Sequence, residues 1–244
     1  MDLVLVVLAA ATGAALAAAL GVAPLLARPS PPTAWLAWAN ALAAGMMIAA
    51  AFALAEPVRG PESGAFALGA VLGILLIHGS RAFSRTEGLS LNRLDEANPA
   101  YGYEVLLVGS LHSAAEGVAI GAAMANDATF GLFVAAALAL HNVPEGTLLA
   151  AVFRSRGVSL PRAASLAVVA NLGQVVLAVA SFAVVAAVPG ALPWALGFAA
   201  GALIYLVMVD LLPESYVGAG PTSIALAVIL AMWAFSLLHG VLRG

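Results

Sequence analysis

The sequence predicts an all-α integral membrane protein, a bundle of eight transmembrane helices. Of its 244 residues, 64% are hydrophobic and only 9% are charged, whereas a soluble domain carries about 25% charged residues. The apolar residues also fall in eight runs of about 20 residues or more, and a helix of that length crosses a hydrocarbon core of about 30 Å. Since the chain cannot cover itself with a polar surface, much of its surface must face lipid.

The eight runs lie at about 3–27, 33–55, 64–83, 103–126, 129–153, 161–188, 191–212 and 221–242. Proline, glycine and asparagine lie between the runs, and these residues favour turns. We read 1–244 as a single transmembrane domain. The segment 84–102 is the one substantial hydrophilic stretch of the sequence, and it is predicted to be a cytoplasmic loop.

The distribution of arginine predicts the orientation. Eight crossings put both ends of the chain on one side of the membrane. With both termini outside, most of the arginines fall on the cytoplasmic side, as the positive-inside rule requires. The inner set is Arg28, Arg81, Arg85, Arg93, Arg154, Arg156 and Arg162, and the outer set is Arg59 and Arg243.

One motif occurs twice, at the middle of the fourth and fifth segments. Each copy reads His-x-x-x-Glu-Gly, first at His112 and Glu116 and then at His141 and Glu145. Residues at i and i+4 lie on one face of a helix, so each pair can present an imidazole nitrogen and a carboxylate to one point. The connection between the segments is short, so the helices are predicted to be antiparallel neighbours with facing pairs.

Ionisable groups inside a bilayer cost roughly 2.5–3.5 kcal/mol each on insertion scales, and they persist where they have partners. Two nitrogens and at least two oxygens at one depth suit a divalent transition metal, above all Zn²⁺. The alternative is that each His/Glu pair satisfies itself by a hydrogen bond within its own helix. The recurrence of the motif at matching depth favours a shared metal site.

Other polar or polarisable residues are weaker candidates. Asn171 and Gln174 lie on one face of the sixth segment, where they can hydrogen-bond to another helix or orient ligands. Met47 is either apolar filler or a soft metal ligand. Asp210 and Glu214 flank a proline at the inner end of the seventh segment, as a metal exit relay or as an ordinary helix end.

These residues resemble the ZIP family of divalent metal transporters, in particular its bacterial branch with short loops. The run 141–146, His-Asn-Val-Pro-Glu-Gly, is similar to the family's paired helix motifs, and His112 and Glu116 match the fourth-helix anchors. The resemblance implies an eight-helix fold across the whole chain. It also implies metal ligation by Met47, His112, Glu116, His141 and Glu145.

The sequence departs from the family pattern where relatives hold a second, adjacent metal. Those positions correspond to Ser113, Asn142 and Gln174, and none of the three is an acid. Two carboxylates balance one divalent ion, and a second ion close by would be repelled. We therefore expect one strong metal position, with Ser113, Asn142, Asn171 and Gln174 orienting ligands or holding water.

The resemblance implies a transporter, not an enzyme, that moves Zn²⁺ toward the cytoplasm, with Fe²⁺, Mn²⁺ and Cd²⁺ as other candidate substrates. The setting would be a bacterial cytoplasmic membrane, the partners would be the metal ion and lipid without nucleic acid, and a homodimer stays open. The alternatives are an intramembrane metalloenzyme and a proton or ion carrier that uses the same residues without metal. A metalloenzyme would be favoured by a His-Glu-x-x-His motif, which this sequence lacks.

Overall fold

The computed structural model describes residues 2–28, 32–84 and 99–243, and it folds them into eight long helices. We number them α1 to α8 in chain order. They are α1 Leu3–Ala27, α2 Thr33–Ala55, α3 Ser63–Ser84, α4 Pro99–Asn126, α5 Ala128–Ser155, α6 Leu160–Ala187, α7 Pro189–Gly218 and α8 Pro221–Arg243.

Helix starts follow ordinary capping chemistry. Asp127 alone separates α4 from α5, and its Oδ1 accepts a hydrogen bond from the Phe130 N–H at 2.7 Å, which satisfies one of the free donors at the start of α5. Proline at the first helical position begins α4 at Pro99. The predicted loop 84–102 is therefore wrong at its end, because 99–102 are helical. Its centre, with Arg85 and Arg93, lies outside the described residues.

Three helices change geometry along their length. α1 passes through a 3-10 stretch at Ala18–Val22, α6 is interrupted at Asn171, and α7 contains a π-helical turn at Val207–Leu211. Prolines explain the first and third, because Pro24 and Pro213 lack the N–H that the preceding turn would bond. A turn of π-helix inside an α-helix is often found at functional sites.

The eight helices pack as four parallel pairs. A Cβ at Gly69 of α3 would collide with the Trp194 backbone of α7, and one at Gly73 would collide with Phe198. Residue numbers rise together along the two helices, so α3 and α7 run in the same direction. Glycines thus let these two backbones approach closely, as is usual between membrane helices.

The other three pairs show the same rising register. The contacts that fix it are Ala14 with Asn142 and Gly21 with Gly146 for α1–α5, Gly45 with Val228 and Glu56 with His239 for α2–α8, and Gly117 with Gln174 and Gly121 with Ala178 for α4–α6. Each pair joins two odd-numbered or two even-numbered helices. Successive membrane crossings alternate in direction, so this parity agrees with eight crossings.

The surface of the bundle suits lipid. Seven of the helices in the described part of the chain are long and apolar enough to cross a membrane, and large apolar side chains such as Leu76, Trp233 and Val241 are well exposed. α4 is outside that set, and it bears the polar residues His112, Ser113 and Glu116. Because α4 packs in parallel along the membrane-crossing helix α6, it is the eighth helix that crosses the membrane. The chain is an integral, multi-pass membrane protein.

The pairs assemble into two groups of four. α1, α4, α5 and α6 contact one another. In the second group α7 contacts α2, α3 and α8, and α2 also contacts α8. The groups meet mainly where α2 packs on α5 and α7 packs on α4. The two helices that carry the repeated motif belong to the same group. The helices α4 and α5 are therefore held by α1 and α6, and they pack against the other group through α7 and α2.

Candidate metal centre

Four side chains from the repeated motif converge in the centre of the bundle. One ligand atom from each of His112, Glu116, His141 and Glu145 lies within 4.8 Å of the others. Both histidines are near the midpoints of 28-residue helices, and all four residues are at most 9% exposed. The one-residue connection at Asp127 makes α4 and α5 antiparallel neighbours, which brings the two motifs to the same depth.

Three of these donor atoms form a nearly equilateral triangle. His112 Nε2 lies 3.2 Å from His141 Nε2, and Glu116 Oε1 lies 3.4 Å from the first and 3.1 Å from the second. Ligands of tetrahedral zinc, with bonds of about 2.0–2.2 Å, are about 3.3–3.6 Å apart. The triangle therefore has nearly the spacing that three zinc ligands require.

The same atoms are poorly satisfied by the protein. Both oxygens of Glu116, Oε2 of Glu145 and Nδ1 of His141 are buried without a well-directed hydrogen bond, although the two imidazole rings stack at an angle of 17°. Burying such groups without partners is costly. A divalent cation would bind the converging lone pairs, and the two carboxylates would balance its charge.

The glycine that ends each motif has a packing role. A Cβ at Gly117 would collide with the backbone of Gln174, and a Cβ at Gly146 would collide with the backbone of Ala18. Each glycine thus lets a neighbouring helix, α6 or α1, lie directly against the helix that bears the His/Glu pair. The motif combines a buried His/Glu pair with a close helix contact behind it.

Ser113 ties α4 to the interruption in α6. Its Oγ lies 2.9 Å from the carbonyl oxygen of Ala170 and 3.2 Å from that of Ser110. Asn171 at the interruption donates from Nδ2 to the carbonyl of Ala167 at 3.0 Å. Ser113 and Asn171, both predicted to orient ligands or hold water, thus form hydrogen bonds with helix backbone carbonyls in the described structure.

Asn142 and Gln174 form an amide pair beside the centre. Asn142 Nδ2 donates to the Ala14 carbonyl at 2.8 Å and to Gln174 Oε1 at 3.0 Å, so it joins α5 to α1 and α6. Both side chains are fully buried. The pair is therefore a neutral hydrogen-bonded link between three helices.

Met47 lies in the core of the bundle. It is 1% exposed and belongs to the same packed cluster as Ala115, one residue before Glu116, and its helix α2 packs on α5. This placement keeps Met47 at the junction of the two helix groups. Its role as a ligand stays a prediction.

Asp210 has a partner that the sequence does not reveal. Arg81 Nη1 donates to both carboxylate oxygens of Asp210 at 2.5 Å, and Arg81 is 5% exposed in the last turn of α3. Arg81 thus lies within α3 and pairs with α7, and its place on the cytoplasmic side stays a prediction. Glu214 lies half-buried one turn further on, and the predicted exit relay of Asp210 and Glu214 stays a prediction.

The region that contains these helices also matches a known family. A family model of the ZIP zinc transporters matches residues 84–237, which is more than half of the chain. The chain belongs to the ZIP family. The matched region includes all of α4 and α5, so the converging His/Glu residues lie within the part of the chain that defines this membership.

Two proteins similar to this chain are named as zinc transporters. The chain is 34% identical over 203 residues to a proposed zinc transporter of Arabidopsis thaliana, an alignment that covers 81% of this chain and 33% of the plant protein. It is 33% identical over 133 residues to the zinc transporter GufA of Myxococcus xanthus, covering 54% of this chain and 51% of GufA. The alignments thus span a third to a half of the relatives' lengths.

Proposed function

We propose that this ZIP family member transports Zn²⁺, or a similar divalent metal, across the membrane toward the cytoplasm. The observation that carries the proposal is the buried triangle of His112 Nε2, His141 Nε2 and Glu116 Oε1, with sides of 3.1–3.4 Å. Imidazole and carboxylate are ordinary zinc ligands. The names of the two relatives support zinc as the substrate.

The proposed ligands are His112, Glu116, His141 and Glu145, with Met47 as a softer fifth. Imidazole binds metal in its neutral form and a carboxyl in its ionised form, so protons compete with the metal for the same atoms. Metal binding should therefore weaken as pH falls. Release of metal on the cytoplasmic side can be accompanied by uptake of protons on the same groups.

The two groups of helices suggest how access to the centre alternates. Asn142 holds α5 to α1 and α6, and Ser113 holds α4 to α6. We propose that α4 and α5 rock together with α1 and α6 against α2, α3, α7 and α8. The contacts of α2 with α5 and of α7 with α4 would then change as the centre opens to either side.

The centre is proposed to hold one strongly bound metal. Glu116 and Glu145 supply two negative charges, which one divalent cation balances. A second cation a few ångströms away would be repelled in this low-dielectric interior, and the neutral pair of Asn142 and Gln174 would not offset that repulsion. Amide oxygens are also weak ligands for Zn²⁺ compared with carboxylates.

The proposal also includes the orientation of the protein, the membrane in which it lies and its oligomeric state. Arginine placement supports both termini outside, and the short-loop family branch supports a bacterial cytoplasmic membrane. A homodimer is a further expectation. A metalloenzyme and a metal-free proton carrier are the rivals, and the converging donors without well-directed hydrogen bonds favour metal over a proton carrier.

Uptake of Zn²⁺, Cd²⁺, Fe²⁺ and Mn²⁺ into proteoliposomes, with and without a pH gradient, tests this function. We expect saturable Zn²⁺ uptake by the wild type and its loss in His141→Ala. Glu62→Ala, which alters an exposed acid remote from the motif helices in sequence, is the matched control and should transport normally. Zinc uptake that persists in His141→Ala would contradict the assignment, and metal-independent proton flux would favour the carrier without metal.

A further inference from the structure

A second cluster of metal-ligating side chains lies between α2 and α8, apart from the centre. A cavity of about 360 Å³ is lined there by Glu56, His239, Met232 and Ser236, with Phe52 and Phe235 among the apolar walls. Met232, Ser236 and His239 share one face of α8, because residues at i, i+4 and i+7 do so on a helix. The cavity thus presents sulfur, hydroxyl, imidazole and carboxylate groups.

The two strongest ligands of this cluster already face each other. His239 Nδ1 lies 4.0 Å from Glu56 Oε1, and the side chains are 9% and 45% exposed. That separation exceeds a hydrogen bond, whereas two ligands of one zinc ion are about 3.3–3.6 Å apart. The half-exposed Glu56 side chain needs to move by well under about 1 Å to meet a cation together with His239.

Packing fixes the imidazole in this orientation. The His239 ring stacks on Phe133 at 13° with centroids 5.2 Å apart, and Phe130 lies 5.3 Å away. His239 itself is 7% exposed. An imidazole held by packing beside a half-exposed carboxylate is a suitable arrangement for a ligand pair, because the histidine needs little further ordering on binding.

Helix ends at this cavity favour a cation. Glu56 follows the last residue of α2, and the parallel helix α8 ends on the same side, so both C-terminal ends direct partial negative charge here. A glutamate at a helix C-terminus is itself unfavourable by the same rule. A bound cation would offset both effects.

This cluster is separate from the centre but shares a helix with it. Phe133, which stacks on His239, precedes His141 on α5 by about 12 Å at 1.5 Å per residue. We propose that Glu56 and His239, with Met232 as a softer ligand, form an auxiliary site that binds a divalent transition metal weakly. Its role in capturing metal for transport rests on the proposed function, whereas binding itself does not.

Equilibrium dialysis of the full-length protein with ¹⁰⁹Cd²⁺ tests the binding. In a background with Glu116→Gln and His141→Gln, we expect one weak equivalent of Cd²⁺ to remain. Adding Glu56→Gln should lower its affinity at least tenfold, whereas Glu62→Gln, at a nearby exposed acid, should leave it within twofold. Absence of the weak equivalent, or its persistence in the Glu56→Gln protein, would overturn the site.

Two further readouts separate a metal site from a structural ion pair. With ¹⁵N-labelled histidine, the His239 imidazole signal, assigned from its loss in His239→Gln, should shift on Cd²⁺ addition. In uptake assays, Glu56→Gln should raise KM several-fold and leave the maximal rate unchanged. An unmoved signal contradicts the site. An unchanged KM contradicts its role in capture, and a wild type that binds Cd²⁺ here but transports nothing contradicts only the proposed function.

Discussion

Replacing Glu116 with glutamine should nearly abolish metal binding while leaving the fold intact. Glu116 Oε1 lies 3.4 Å from His112 Nε2 and 3.1 Å from His141 Nε2, and the side chain is fully buried. Glutamine has almost the same shape, so packing is kept. The change removes one ligand and half of the charge that the two carboxylates contribute.

A minimum can be given for the expected loss of Zn²⁺ affinity. Removing an outer partner of a metal ligand costs 10–100-fold in affinity, so loss of the ligand itself should cost more than about 100-fold, or about 2.7 kcal/mol. At a Zn²⁺ concentration 100 times its dissociation constant, the wild type gains about 2.7 kcal/mol of stability from binding. Glu116→Gln should lose nearly all of that gain.

Zinc titration by calorimetry, paired with thermal unfolding in detergent, measures both quantities. Glu62→Gln is the control, because it removes an exposed acid at no cost to packing. A Glu116→Gln protein that binds Zn²⁺ within threefold of the wild-type affinity would contradict this prediction, because the Glu116 oxygen would then contribute nothing to binding. Loss of the folded state without metal would refute the claim that packing is kept.

Three further predictions concern the number of metals, the packing and the orientation. Gln174→Glu should raise the bound metal from one toward two per chain, measured by elemental analysis, and an unchanged ratio would contradict the charge argument. Gly146→Ala should destabilise the protein by about 1–3 kcal/mol through overpacking, whereas Gly13→Ala, with open space around its Cβ, should not; equal unfolding temperatures would contradict the close contact. Arg93→Cys should resist labelling from outside intact cells while Glu62→Cys reacts, and the reverse result would invert the topology.

Hydrophobic runs, and the turn-forming residues between them, predicted the helices because both signals are local in the sequence. Lipid-facing helices need about 20 apolar residues whatever their neighbours are, so the eight segments could be located from the sequence alone. The interruption at Asn171 and the π-helical turn at Val207–Leu211 could not. Those depend on tertiary contacts, such as Ser113 bonding the carbonyl that the interruption exposes.

The convergence of the motif residues was also predictable, for a geometric reason. His and Glu at i and i+4 share a face, and a one-residue connection forces two helices to be antiparallel neighbours. The link from Asn142 to Ala14, and the pairing of Arg81 with Asp210, join residues more than 100 positions apart. No periodicity in the sequence encodes such contacts, so only the packed structure reveals them.

We propose that a single metal binds between the two motifs. Anomalous diffraction at the zinc edge, from crystals of protein loaded with one to two equivalents of Zn²⁺, tests it most directly. We expect one strong peak within about 2.0–2.2 Å of His112 Nε2, His141 Nε2 and a Glu116 oxygen. Two fully occupied peaks near Glu116 and Glu145, or a strong peak away from both histidines, would contradict it.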